Sequence, residues 1–353
     1  MSWSRTERFH ALLAGERADR PAISAYAHQV GAERNADDLV AATLAYARAG
    51  DWDWVKLNPR TVHYAEAWGN TYDYDHYGPV IPIPAQTHAV LASPADLGSI
   101  TDLEVDDVPA FTEQLEVIRR VKAGTDAAVV ATVYSPYNVL VKLAGLPLAP
   151  GLPLAPGLLP PGSATEWTLK SFLDEDRDGV HAALGAIART LGRYTAAQKE
   201  AGADGVMIVT AGQARDLGRD GNEELGRPYD SIVLDGATGI PRLVHTCGPD
   251  AHPHWFEEYP LEGINWDTYD PTNPGNDAEI SKVFVGGAQA ALLGGLREDL
   301  DEAAAADEIR RQVHSARRLH GDRLVVAPSC SIVETAPAPL LAAYRQAVEE
   351  PLG

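Results

Sequence analysis

The sequence predicts an α/β protein, a single (β/α)8 TIM barrel with an N-terminal helical extension and loop insertions. Three observations lead there. Short apolar runs rich in Val, Ile and Leu recur, each followed by a turn and then a longer Ala/Leu/Arg/Glu stretch with helical spacing. The runs number eight, and they are continuous rather than alternating, as strands of a parallel sheet covered on both faces must be. A length of 353 residues suits one barrel, and eight parallel strands favour closure over an open sheet.

Taken in order, the predicted strands are Pro21–Tyr26, Trp54–Asn58, Ala127–Tyr134, Gly205–Thr210, Arg242–Cys247, Gly263–Asp267, Lys282–Gly286 and Arg323–Ser329. Between the first two, Asn35–Ala49 reads as a helix with Asn35 as N-cap and an end at Gly50. Asp301–Leu319 reads as another, stopping at His320-Gly321 before the last strand. Trp68–Ala85 is aromatic and polar, carries no clean period, and is expected to be a loop or hairpin over the barrel mouth. Residues 146–162 repeat Leu-Pro-Leu-Ala-Pro-Gly, and their prolines lack ladder donors, so they are expected to be a Pro-rich loop insertion after the third strand. The whole chain, 1–353, reads as one domain.

Charge and composition exclude several functions. Lys+Arg total 29 against Asp+Glu 50, a formal charge of −21, which repels phosphate backbones and anionic lipid; no nucleic acid or membrane partner is expected. At 45% hydrophobic and 22% charged, the chain can bury a large core. Two cysteines are too few for a disulfide scaffold, the first residues contain no apolar leader segment, and a reducing cytoplasm is the expected compartment. The sequence has no GxxxxGK[ST] or GxGxxG run, so ATP and NAD are poor candidates.

The informative residues sit at strand ends. His245-Thr246-Cys247-Gly248 closes the fifth predicted strand and Pro328-Ser329-Cys330-Ser331 the eighth, so both cysteines fall on the face where such barrels assemble their sites. Residues i and i+2 of a strand point the same way, so His245 and Cys247 can present two ligands on one side, with Cys330 as the third. One imidazole and two thiolates leave the fourth tetrahedral position of Zn²⁺ open, as in a catalytic site, and soft sulfur argues for zinc over magnesium or calcium. The same residues also fit two small buried hydrophobes beside a satisfied core histidine.

Several of these segments together resemble a known family. Asp19-Arg20-Pro21, Glu66-Ala67-Trp68-Gly69, Tyr134-Ser135-Pro136-Tyr137, His245-Thr246-Cys247-Gly248 and Ala327-Pro328-Ser329-Cys330 are similar to the uroporphyrinogen decarboxylase superfamily. Within it, the chain resembles the zinc-dependent cobalamin/thiol methyltransferase branch that includes the methylcobalamin:coenzyme M methyltransferases. The resemblance covers nearly the whole chain and implies a (β/α)8 barrel. It departs from the decarboxylases themselves. Where they carry Arg-Gln-Ala-Gly-Arg, this chain has His28-Gln29-Val30-Gly31-Ala32, and Trp54-Val55-Lys56-Leu57-Asn58 lacks their second-strand aspartate. Lys56, with Arg60 as its one cationic neighbour, supplies few partners for a polycarboxylate porphyrinogen, which disfavours that substrate.

The resemblance implies that His245, Cys247 and Cys330 bind zinc, and that the enzyme activates a thiol as a zinc-bound thiolate and transfers a methyl group from or to a corrinoid. Asp267 is expected either to fill the fourth zinc position or accept the thiol proton, or else to be an N-cap or loop carboxylate. Glu334 is a weaker candidate for the same role. Tyr134 is expected to act at the pocket, and Tyr137 and Asn138 to line it toward a cofactor, with a structural rim role as the alternative; His28, also toward a cofactor, and Tyr26 are pocket candidates by position and equally fit packing or a solvated loop. His252 and His254 read as an exposed loop or as support to the site. The chain has no Asp-x-His-x-x-Gly corrinoid motif, since Asp75 and His76 are adjacent, so cobalamin is expected on a partner protein or as a free cofactor. The expected partners are a small-molecule thiol and a corrinoid protein, with a homodimer allowed. Two alternatives stand beside this reading: a decarboxylase of the family with another substrate, and a non-catalytic barrel that binds a corrinoid or tetrapyrrole.

Overall fold

A computed structural model of the protein describes residues 3–77, 83–145, 168–321 and 323–352. Eight parallel strands form one sheet: β1 (Ala22–Ile23), β2 (Trp54–Leu57), β3 (Ala128–Tyr134), β4 (Gly205–Val209), β5 (Arg242–Thr246), β6 (Gly263–Trp266), β7 (Val283–Ala288) and β8 (Leu324–Pro328). Their hydrogen-bonded order is β1-β8-β7-β6-β5-β4-β3-β2, the order of a sheet curling back on itself. All eight lie where the apolar runs place them, because a strand covered by helices outside and side chains inside must be apolar on both faces. The expected (β/α)8 barrel is the observed fold.

The seam between β1 and β2 is made differently from the others. β1 has a ladder only with β8, and its two residues are fewer than the predicted Pro21–Tyr26. Asp53, just before β2, supplies the missing pairing: its N–H donates to the Ile23 carbonyl at 2.9 Å, and its carboxylate accepts the Ile23 N–H at 3.0 Å. The same buried carboxylate accepts from Arg8 at 2.8 Å and from Arg20 at 2.9 Å. A side chain thus does at the seam what a backbone ladder does elsewhere.

Arg8 belongs to the N-terminal helical extension, Arg5–Leu13, which opens with a capping box between Ser4 and Glu7. Phe9, Leu12 and Leu13 of this helix share one buried cluster with the inward residues Trp54, Val130, Met207, Leu243, Val285 and Val325, so the helix plugs the N-terminal end of the barrel. Gly263 admits the plug: a Cβ there would stand 2.9 Å from Val285 and 3.1 Å from Leu13.

The first expected helix is Ala36–Gly50, capped by Asn35 accepting the Asp38 N–H, and it ends at a left-handed Asp51 one residue beyond the predicted stop. Glu302–His320 is capped by Asp301 and ends at Gly321. The aromatic segment after β2 is an antiparallel hairpin of Thr71–Tyr77 with Pro84–His88. It is fastened to the segment after β1 by Tyr77 donating to Glu33 at 3.1 Å and by Arg34 pairing with Asp75 at 3.2 Å. The Pro-rich insertion at 146–162 lies outside the described residues. Among those described, no helix is long and apolar enough to cross a membrane.

Removing one partner of a buried charge network leaves the others uncompensated. Asp53→Ala is therefore expected to destabilise the fold by about 3–5 kcal/mol, seen as a lower midpoint in urea unfolding, and a change below about 1 kcal/mol would show that the seam closes without it.

Candidate metal centre

β5 carries His245 on its inward face, buried and in register with Asn265 of β6. One residue past β5, Cys247 is held by its carbonyl accepting the Gly212 N–H at 3.0 Å, and Gly248 turns the chain away at φ 96°. On the other side, the Ser329 N–H donates to the Ala288 carbonyl at 2.8 Å, which carries the β8 register one residue further and delivers Cys330 to the same end. Both thiols are free and half-buried.

The three ligand atoms of His245, Cys247 and Cys330 lie within 4.8 Å of one another. Cys330 Sγ is 3.7 Å from Cys247 Sγ and 3.6 Å from His245 Nε2. Tetrahedral zinc with bonds near 2.3 Å to sulfur and 2.0–2.1 Å to nitrogen sets such edges at about 3.8 and about 3.6 Å. The sulfurs are too far apart for a disulfide and correctly spaced to share an ion. The residues present therefore fit zinc.

The imidazole is aimed by its surroundings. Asn265, wholly buried, donates through Nδ2 to the carbonyls of Val285 at 2.6 Å and Pro328 at 3.2 Å, which leaves its Oδ1 as acceptor. That oxygen takes the His245 Nδ1–H at 2.5 Å and the Tyr26 hydroxyl at 3.0 Å. With its proton fixed on Nδ1, His245 turns the lone pair of Nε2 toward the sulfurs. The sulfurs share one hydrogen bond. That hydrogen bond pulls the Cys330 thiol well below its ordinary range and, together with burial, pushes Cys247 well above.

The structure distributes the other sequence-predicted residues unevenly. Tyr134 ends β3, and burial followed by the nearby Cys247 raises its hydroxyl, which stays protonated. Asp267 follows β6 and is half-buried; burial raises its carboxyl, and it accepts the Tyr269 N–H at 2.9 Å. It is not among the three clustered ligands, and Glu334 is exposed. His28 is pushed down to about 3 by burial and then by Lys56 and Lys142, and its buried Nδ1 has no hydrogen-bond partner among the described residues. Tyr137 donates to Asp216 at 3.0 Å. Asn138 exchanges two hydrogen bonds with the backbone of Ala211, at 2.8 and 2.7 Å, so its amide braces the loop after β4. His252 stacks on Trp255 and His254 pairs with Glu257, both exposed in the loop beyond β5.

Three charged groups join the site that sequence reasoning did not assign to it. Lys56 of β2 lies 5.0 Å over the Tyr26 ring and donates to Asn58 at 2.5 Å; burial holds it down at about 8, against the opposing pull of Cys330 and Cys247. Lys142, on the helix Pro136–Leu143, lies 4.6 Å over the Tyr134 ring and donates to the Thr61 carbonyl; burial holds it at about 7, with Glu33 opposing. Glu33 is 1% exposed and raised to about 7 by burial. Charged residues inside an apolar strand and on a buried helix face were the available signal.

The sequence pattern described as uroporphyrinogen decarboxylase matches residues 160–351, just over half of the chain, which includes β4 to β8 and all three clustered ligands. Among solved structures, the chain is similar to a methyltransferase from Methanosarcina mazei, with a TM-score of 0.70, 16% identity and 99% of each chain covered. It is similar also to a B12-independent methionine synthase from a Shewanella species in complex with selenomethionine, at TM-score 0.51 and 11% identity, covering 89% of this chain and 87% of that one. A putative vitamin-B12 independent methionine synthase from Listeria monocytogenes follows at TM-score 0.50 and 13% identity, with 89% and 86% covered. At these identities the likeness is one of fold. No protein of curated function matches the chain.

Because Asn265 fixes the histidine tautomer, Asn265→Leu is expected to weaken zinc binding by roughly 10–100-fold, as measured by competition with a chromophoric chelator. Undiminished affinity would mean that the ring is oriented by packing alone.

Proposed function

The chain belongs to the uroporphyrinogen decarboxylase family, and from that premise we propose that it is a zinc-dependent methyltransferase acting on a thiol, with a corrinoid as the other methyl carrier. The observation that carries the reading is the set of three soft donors, one imidazole and two sulfurs, spaced as three vertices of a zinc tetrahedron at the C-terminal mouth of the barrel. The similarity to a methyltransferase and to methionine synthases supports the same reading.

His245, Cys247 and Cys330 would hold the zinc, and the ion would supply the positive charge that makes an incoming thiol acidic at neutral pH. The protein's own groups do the rest. Asn265 keeps Nε2 of His245 free to bind. Asp267, raised by burial and next to the Cys330 loop, accepts the proton that the thiol gives up. Tyr134 borders the pocket with a hydroxyl that stays protonated, and His28 stays neutral with an open ring nitrogen. The transfer is an in-line displacement: the sulfur–methyl bond forms as the methyl leaves its donor, which keeps the electron pair. Burial of the site excludes water, and the barrel orients the two reactants. With no corrinoid motif of its own, the chain meets its methyl donor on a partner protein or as a free cofactor.

Protein purified without chelator is expected to carry close to one zinc per chain, to lose it in Cys247→Ser and Cys330→Ala, and to demethylate methylcobalamin only in the presence of a thiol. The far-UV circular dichroism of all three proteins should agree, because a barrel of this size has its own core. A wild-type protein without metal that releases carbon dioxide from a carboxylated substrate would replace this reading with a decarboxylase.

A further inference from the structure

We propose that Gln213 is a positioning residue of the metal centre: its buried amide fixes the loop after β4, and that loop sets where Cys247 stands. The inference rests on the metal-binding role proposed above for Cys247 and adds the part of the chain that holds this ligand in place.

The loop bonds the backbone of both ligands that β5 supplies. The Thr210 N–H donates to the His245 carbonyl and the Gly212 N–H to the Cys247 carbonyl, each at 3.0 Å, which prolongs the β4–β5 ladder beyond the end of β4. Past that end, side chains rather than a regular strand fix the backbone. On one flank Asn138 exchanges its two hydrogen bonds with Ala211. On the other, Gln213 turns into a buried polar cluster. Its Nε2 donates to Asp230 Oδ2 at 2.7 Å and to Asn222 Oδ1 at 3.1 Å. The Tyr259 hydroxyl donates to the same Asp230 oxygen at 3.3 Å and accepts from Asn222 Nδ2 at 3.3 Å. None of these four residues is more than 1% exposed.

The cluster gathers three further segments. Asn222 opens the π turn Asn222–Gly226, Asp230 belongs to the helix Arg227–Asp235, and Tyr259 follows the short turn Pro253–Glu258 in the loop that begins at Cys247. That loop is therefore tied to one cluster at both ends, through Gly212 and Gln213 at the near end and through Tyr259 at the far end. The arrangement costs more than packing alone requires. Asp230 has amide and phenol partners, and among the described residues no cation bonds it; Arg227, on the same helix, pairs with Glu223 and Glu258 instead. Burial raises its carboxyl to about 7. Apolar side chains would join these segments at lower cost, but a hydrogen-bonded network accepts only one arrangement. Ligands of a metal ion must stand within about 0.2 Å of their places, and a network of this kind meets that demand.

The test reads the two thiols separately. In the full-length, metal-free protein, iodoacetamide alkylates Cys247 alone in Cys330→Ala and Cys330 alone in Cys247→Ser. Adding Gln213→Leu should raise the alkylation rate of Cys247 by about tenfold and that of Cys330 by less than about twofold. Asp230→Asn keeps an oxygen for the Gln213 amide and should leave both rates within about twofold of the parent. Tyr259→Phe, a milder change, should raise the Cys247 rate alone by about threefold, and it carries the test if Gln213→Leu does not fold. With both cysteines present, Gln213→Leu should lower zinc affinity by about tenfold, and Asp230→Asn should leave it unchanged. The alkylation arm needs neither metal nor methyl transfer, so it stands if the zinc reading falls. Equal acceleration of both cysteines, as a merely loosened barrel would give, acceleration of neither, or undiminished zinc affinity in Gln213→Leu would overturn the proposal.

Discussion

The parallel register of β5 to β8 is the constraint on which the site depends. His245 and Cys330 are 85 positions apart in the chain, yet Nε2 and Sγ come within 3.6 Å because the β5–β6, β6–β7 and β7–β8 ladders are each locked in one alignment. Side chains alternate with a period of two, so a slip of one residue would turn His245 into the helical layer and bring a valine or threonine to the mouth. Asn265 couples the ladders directly. Its amide bonds the carbonyls of Val285 and Pro328, on the two following strands, while its oxygen holds the imidazole on the preceding one. The residue that sets the tautomer is also a tie across four strands.

Around that tie the electrostatics run against the rest of the chain. An acidic protein has no lack of carboxylates for its cations, and most arginines described here take one: Arg60 pairs with Glu66 and Glu113, Arg189 with Asp102, Arg242 with Glu262. The mouth is different. Lys56 and Lys142 are given neutral oxygens and aromatic faces instead, and His28 between their fields is kept neutral. Such an arrangement lowers the pKa of both lysines by desolvation and keeps their remaining donors unspent.

How much of this the sequence disclosed depended on whether a residue's role follows from position or from contacts. Strand positions were legible because burial on both faces leaves continuous Val/Ile/Leu runs, and the cysteines were legible because they stand at the carboxyl ends of two such runs. Contact-dependent roles were not. Asn138 follows β3 as a pocket residue would, but its amide is taken up by the Ala211 backbone, and Tyr137 is turned to Asp216. Asn265 carries no signal of its own beside the acid Asp267, although an amide in the middle of Gly-Ile-Asn-Trp must find hydrogen-bond partners once buried and so has a role to explain. The same logic applies to Lys56 inside Trp-Val-Lys-Leu. The short β1 was hidden because nothing in the pattern shows that Asp53, rather than a ladder, closes its open side.

The two ends of the barrel divide the work. At the N-terminal end, Asp53, Arg8 and Arg20 close the seam, and Phe9, Leu12 and Leu13 fill the opening. At the C-terminal end the groups are polar and, among the described residues, under-partnered: a hydrogen bond shared between two thiols, an imidazole nitrogen without a partner, ammoniums without carboxylates. Under-partnered groups destabilise a fold, so they persist only where the remaining structure carries them. The plug and the seam are what carry them here, and the separation between the ends explains why chemistry can be arranged at one mouth without loosening the register that arranges it.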